Sequence, residues 1–109
     1  MKYTIGEDRL YKVFCRFLNE NMGKLYYDEP DNEFYHFIDG KQKSFGYLNS
    51  ETYLDGSAGY HFYFFWQTGS NLVSELPRTI RSLFGDNYRN LLLRYLNEHF
   101  PSYPITQVE

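Results

Sequence analysis

The chain has 109 residues and a formal net charge of −3, with 11 lysines and arginines against 14 aspartates and glutamates. This length suits one domain with its own hydrophobic core, and the mildly acidic balance disfavours a protein that acts mainly on phosphate backbones or anionic lipid. No apolar run reaches the roughly 18 residues of a membrane span, and no signal-peptide core stands at the N-terminus. The single cysteine, Cys15, fits a reducing compartment. We therefore expect a cytoplasmic protein with no membrane partner.

Aromatic residues are the unusual part of this composition. Twelve tyrosines, ten phenylalanines and one tryptophan make up 21% of the chain. Each ring buries about 150–250 Å² when it lies inside, so even half of them could form the core of so short a chain. We expect the remaining rings at or near the surface. Tyrosine is enriched at protein interfaces, so such a surface favours contact with a partner.

The first segment has the spacing of an amphipathic helix. Its apolar residues recur at intervals of three and four positions: Leu10, Val13, Phe14, Phe17 and Leu18. The spacing predicts a helix over about residues 7 to 22, with Gly6 as its N-cap and Gly23 as its C-terminal stop.

From residue 24 to residue 67 the apolar period changes to two. Four aromatic-rich runs are separated by turn-forming residues: Lys24–Asp28, Glu33–Ile38, Lys43–Leu48 and Tyr60–Gln67. These runs predict an antiparallel meander of three or four strands. The last run is apolar or aromatic at nearly every position, so we expect it to lie centrally and to be covered on both faces.

Helical spacing returns in the last third of the chain. Leu76 and Ile80 suit a helix over about residues 74 to 84 that ends at Gly85, and Asp86 then caps a second helix that continues to about residue 100. Ile105–Val108 is a candidate edge strand. Residues 1–109 are thus predicted to form a single α+β domain. It has an N-terminal helix, an antiparallel three- or four-stranded meander, two C-terminal helices and this candidate terminal strand.

The opening of the chain resembles small uncharacterised proteins of tailed phages and marine viruses, which often begin Met-Lys-Tyr-Ile-Ile-Ser/Thr-Glu-Ser-Gln-Leu. The matching positions follow one another without a gap: Lys2, Tyr3, Ile5, Glu7 and Leu10. The stretch from Leu72 to Gly85, followed by an aliphatic and aromatic helix and a short tail, is similar to their second half. The resemblance implies a viral origin, with the host cytoplasm as the location. It implies no activity and no site.

Catalytic and metal-binding signatures are missing from the sequence. The three histidines, His36, His61 and His99, lack the tight spacing of a metal-ligand motif. Cys15 lies in no catalytic-cysteine signature, and phosphate-loop, dinucleotide and nucleophile-elbow patterns are absent. We therefore expect no enzymatic activity, no metal site and no cofactor.

Two features keep nucleic-acid binding open. Residues 43–48 partly resemble the RNA-contacting strand of an RRM, in which Phe45 and Tyr47 would point to one face and stack on bases. Arg78 and Arg81 lie in the C-terminal helices, and guanidinium groups suit phosphate as well as carboxylate. An RRM, however, places that strand after a strand–helix–strand unit, whereas here a helix precedes all the predicted strands.

These patterns together predict a small non-enzymatic interaction protein whose partner is another protein. The alternative is single-stranded nucleic-acid binding through the sheet aromatics and the C-terminal arginines, which the negative net charge opposes. The candidate binding residues are Phe45, Tyr47, Arg78 and Arg81.

Overall fold

The computed structural model describes residues 2–52, 54–56, 58–66 and 72–109. An N-terminal helix and four strands come first: α1 (Lys2–Asn21), β1 (Tyr26–Asp28), β2 (Glu33–Ile38), β3 (Lys41–Thr52) and β4 (Ala58–Phe64). Helical segments and a last strand follow: α2 (Leu76–Phe84), a 3₁₀ turn (Gly85–Asn87), α3 (Tyr88–His99) and β5 (Ile105–Val108).

Within the described residues, five strands form one sheet in the order β1-β2-β3-β4-β5. The first four strands are an antiparallel meander, whereas β5 lies parallel to β4. A parallel neighbour requires a crossover connection, and α2 and α3 lie between these two strands in the chain. The middle strand is therefore β3, and β4 lies between β3 and β5.

The structure is α+β, but the predicted layout of its helices is wrong. The two expected C-terminal helices are one joined helical segment, because α2, the 3₁₀ turn and α3 follow one another from Leu76 to His99 without a loop. Gly85 has a positive φ of 57° and ends α2 as predicted, with its N–H donating to the Arg81 carbonyl, but the 3₁₀ turn begins at the same residue and leads directly into α3. Asp86 lies in the 3₁₀ turn and is not a helix cap. The sheet has five strands because β5 completes it.

Helix α1 begins at Lys2, well before the predicted start, so Gly6 lies inside the helix and is not its N-cap. Its end agrees with the prediction. Gly23 has a φ of +66°, a conformation that other residues rarely adopt, and its N–H donates to the carbonyls of Leu18 and Asn19. Among the described residues, no helix is long and apolar enough to cross a membrane.

The helices cover one face of the sheet, which we name the covered face. Phe34 on β2 contacts Phe100 edge-on, with ring centroids 5.0 Å apart, and Phe64 on β4 contacts Tyr88 of α3. Helix α1 joins this layer through Phe14, whose ring lies edge-on to Tyr95 of α3. The largest fully buried side chains are phenylalanines: Phe14, Phe34, Phe45 and Phe62. Rings therefore supply most of the bulk of the core.

The continuous aromatic pattern of β4 predicted a strand covered on both faces, and this prediction is wrong. Phe62 and Phe64 are buried on the covered face, whereas His61 and Tyr63 alternate with them and are only half-buried. The strand ends at Phe64, and the predicted last residue, Gln67, lies outside the described residues.

Candidate protein-interaction surface

The sheet carries a second set of aromatic rings on the face opposite the helices. We name this the open face and define it by the following rings: Tyr26, Tyr35, Phe37, Tyr47, Tyr63 and Phe65. Strand alternation places them there, because neighbouring residues of a strand point to opposite faces. Phe37 and Tyr26 retain 46% and 36% of their accessible surface, and the other rings are half-buried.

Tyrosines on neighbouring strands stack in pairs across this face. The rings of Tyr47 and Tyr63 are 5.2 Å apart with a 17° angle between their planes, and Phe65 lies 5.1 Å from Tyr47. Tyr26 and Tyr35 form the same arrangement between β1 and β2, at 5.3 Å and 12°. Such cross-strand pairs contribute about 0.2–1 kcal/mol each. Each pair therefore favours one relative orientation of its two rings.

A bulge in β3 separates two of the candidate binding residues. Phe34 lies opposite Gly46, whereas Tyr35 lies opposite Ser44, so Phe45 is an extra residue without a partner in the register. The extra residue turns Phe45 to the covered face, where it is fully buried, while Tyr47 remains on the open face. The expectation that these two rings share a face is wrong. Phe45 is therefore not available to stack on bases.

Gly46, next to this bulge, leaves room for the ring of Phe62 on β4. A Cβ atom at this position would lie 2.3 Å from Cζ of Phe62 and 2.6 Å from the carbonyl oxygen of Tyr63. Both distances are far below van der Waals contact, so the Phe62 ring can lie over the strand only because residue 46 has no side chain. A larger residue at position 46 would therefore displace the Phe62 ring or the backbone of β4.

Acidic residues border the open face where β2 begins and β4 ends. Glu33 lies opposite Tyr47 in the β2–β3 register and opposite Asp28 in the β1–β2 register. Burial raises the pKa of the Glu33 carboxyl, and the neighbouring charges of Asp31 and Asp28 raise it further. A shallow depression of about 460 Å³ lies beside this group. Its lining residues are Asp31, Glu33, Tyr47, Phe64, Phe65 and Trp66.

The other two candidate residues, Arg78 and Arg81, come together at Trp66. The Arg78 guanidinium donates a hydrogen bond of 3.2 Å to the Trp66 carbonyl, and the Arg81 guanidinium lies 5.6 Å from the centre of the indole ring. Both arginines are exposed, and neither forms a salt bridge with a described carboxylate. With Ser82 they line a second depression of about 600 Å³. Trp66 therefore lines both depressions.

Sequence reasoning missed Trp66. The spacing of three between Arg78 and Arg81 places them on one side of a helix, which a sequence does show. The contact of Arg78 and Arg81 with Trp66, just after β4, depends on how α2 packs against the sheet. No local sequence pattern predicts that packing.

The histidines lie apart and contact different residues. His36 is fully buried on β2, with Nε2 2.7 Å from Oγ of Ser74, which also accepts the N–H of Leu76 at the start of α2. His99 stacks on Tyr95, and His61 lies beside Tyr63. The described residues contain no group of three or more metal-ligating side chains. Since both His36 and Ser74 are buried, their pair connects β2 to α2 and does not form an open site.

No family model, curated protein or solved structure matches this chain. The chemistry of the surface therefore carries the functional argument.

Proposed function

We propose that this chain is a non-enzymatic interaction protein that binds a protein partner through the open face. The observation that carries the proposal is the row of tyrosine and phenylalanine rings on the sheet face that the helices leave uncovered. Contiguous exposed apolar surface of this kind marks interaction sites in soluble proteins, and tyrosine is frequent among the residues that dominate binding energy.

The pre-ordered rings favour a folded or extended protein partner. The stacked pairs of Tyr26 with Tyr35 and of Tyr47 with Tyr63 have little side-chain freedom left to lose, so binding costs less conformational entropy. A tyrosine supplies apolar contact through its ring and can hydrogen-bond to a partner through its hydroxyl. A viral origin, with action in the host cytoplasm, remains part of this proposal.

Single-stranded nucleic acid is the second candidate partner, favoured by Trp66 with its two arginines. A base would stack on Trp66 or Tyr47 while Arg78 and Arg81 meet phosphates. The acidic group of Asp31 and Glu33 beside Tyr47 opposes this arrangement, because it would repel the backbone of the same strand. The burial of Phe45 removes one of the two expected stacking rings. We therefore favour the protein partner.

A comparison of affinity captures from nuclease-treated native cells tests the proposal. The wild-type chain is expected to retain a specific protein that a double variant, Tyr47→Ala with Tyr63→Ala, loses. Val13→Ser is the matched control, since Val13 is an apolar side chain 52% exposed on α1, away from the open face. Identical captures with wild type and the double variant would reject the open face as the binding surface.

Fluorescence anisotropy with single-stranded oligonucleotides tests the second candidate. We expect no measurable binding at physiological salt. A nucleic-acid protein would instead lose affinity steeply as salt rises, with a logarithmic slope of about 0.7 per neutralised phosphate. Salt-sensitive binding that Tyr47→Ala weakens, and whose slope falls in Arg78→Gln and Arg81→Gln, would replace the protein-partner proposal with the nucleic-acid one.

A further inference from the structure

The surface around Trp66 carries charges of opposite sign on the two sides of an aromatic centre. We name it the Trp66 surface and define it by these residues: Asp31, Glu33, Tyr47, Phe65, Trp66, Arg78 and Arg81. Asp31 and Glu33 line one depression, and Arg78 and Arg81 line the other. Trp66 lines both, so the acidic and the basic residues lie next to the same tryptophan.

We propose that the Trp66 surface binds the same surface of a second copy of this chain across a two-fold axis. This inference rests on the proposed function, because the second copy would be the protein partner. The Trp66 surface shares Tyr47 and Phe65 with the open face. A two-fold interface brings one patch against itself, so residue i of one copy meets residue j of the other, and the reverse. Glu33 of each copy then faces Arg81 of the other.

Among the described residues, no salt bridge pairs the charged groups of this surface with an opposite charge. Glu33 is half-buried beside Asp28 and Asp31, whose negative charges disfavour its ionised form. Arg78 and Arg81 form no salt bridge with a described carboxylate. A guanidinium group from the second copy would relieve the repulsion around Glu33, and a carboxylate would engage the arginine fork with two hydrogen bonds. When two copies of the surface pair, Glu33 gains a guanidinium partner and the arginines gain a carboxylate partner.

The centre of the patch suits such an interface as well. Tyr47, Phe65 and Trp66 are half-buried rings, and charged groups surround them, which is the arrangement of an apolar interface centre with a polar rim. A net charge of −3 on each copy is small and gives little overall repulsion between copies. Of the charged groups on this surface, a single strand of nucleic acid would pair only with the arginines, and a basic peptide only with the carboxylates.

Sedimentation velocity over a concentration series tests the proposal with the full chain. The wild-type mass should rise from that of one 13.1 kDa chain toward twice that value as the concentration increases. Glu33→Arg and Arg81→Glu should each weaken self-association by more than about tenfold, because each puts like charges together at both contacts. Arg89→Glu is the matched control, an equal charge change at an exposed site on α3. This variant should associate as the wild type does.

An equimolar mixture of Glu33→Arg and Arg81→Glu provides the decisive sedimentation experiment. The Glu33→Arg chain then carries arginine at both contact positions and the Arg81→Glu chain carries glutamate at both, so the two should form a mixed dimer although neither dimerises alone. Recovery in the mixture also shows that both variants are folded. A wild-type chain that stays monomeric throughout, or a mixture that stays monomeric while wild type associates, would overturn the proposal.

The affinity capture described above distinguishes failure of the two-fold dimer from failure of the proposed function. A monomeric chain that still captures another protein, and loses it in the double variant at Tyr47 and Tyr63, would reject the second copy and retain the open face as an interaction surface. A monomeric chain that captures no protein would reject both.

Discussion

The two faces of the sheet use aromatic rings in different ways. On the covered face, the fully buried rings of the strands are phenylalanines, Phe34, Phe45 and Phe62, and they pack edge to face or tilted against one another and against the helices. On the open face, tyrosines predominate and stack in parallel pairs. A phenylalanine gains most from complete burial, whereas a tyrosine keeps its hydroxyl in water while its ring packs. The same aromatic composition thus builds both the core and the open face.

Adjacent residues of β4 give the largest expected contrast between the faces. Phe62→Ala should lower the free energy of unfolding by about 3–5 kcal/mol, because it opens a cavity among fully buried rings. Tyr63→Ala removes one cross-strand pair and should cost less than about 1 kcal/mol. Urea denaturation of both variants measures the difference. Equal losses would show that the open face is buried in the protein as it exists in solution.

Low pH should lower the stability of the fold through protonation of His36. Burial lowers the pKa of this histidine to about 4 from its usual 6.5, and the charge of Lys43 contributes to the shift. Its Nδ1 is buried without a hydrogen-bond partner among the described residues, so a proton there would have no acceptor. The unfolded chain takes up the proton first, so stability falls as the pH drops from 6.5 toward 4. The expected loss is on the order of 2–3 kcal/mol.

Stability measured against pH, for wild type and for His36→Gln, checks this contribution. The slope between pH 6.5 and pH 4 should be shallower in the variant, since the buried imidazole is gone. Parallel curves for the two proteins would mean that His36 is not held neutral by the core.

Substitution of Gly46 tests whether the Phe62 ring restricts the size of the side chain at position 46. Gly46→Ala should cost about 1–3 kcal/mol through overpacking, because its Cβ would collide with the Phe62 ring and the Tyr63 carbonyl. In a Phe62→Leu background the same substitution should cost less, since the shorter side chain leaves more room. Thermal or urea unfolding of the four proteins in this cycle gives the coupling. A substitution of equal cost in both backgrounds would show that the ring does not restrict residue 46.

Local signals in the sequence predicted several elements but not their relation in space. The alternation in Glu33–Ile38 predicted β2 with the bounds it has, and Ile105–Val108 is a strand as predicted. The bulge at Phe45 could not be inferred, because a strict period of two assigns Phe45 and Tyr47 to one face, and one extra residue reverses the side of the first. Gly85 ends α2 as predicted, but the sequence did not show that a 3₁₀ turn would join α2 to α3 without a loop.

The candidate surface was predictable only in its chemistry. An excess of tyrosine predicted rings at or near the surface, and half-buried Tyr47 lies among those of the open face, but sequence spacing does not show which strands bring rings together. The meeting of Arg78 and Arg81 with Trp66 joins segments on different elements, so it follows from the fold and not from a motif.

The most direct test of the central claim, that the open face contacts a protein, is site-specific photo-crosslinking. A benzophenone amino acid placed at Tyr63 on the open face, and in a second chain at Val13 on α1, compares two partly exposed positions of one molecule. We predict a protein adduct at Tyr63 and none at Val13, with a covalent dimer when the purified chain alone is irradiated. No adduct at Tyr63, equal yields at both positions, or an adduct with nucleic acid at Tyr63 would contradict it.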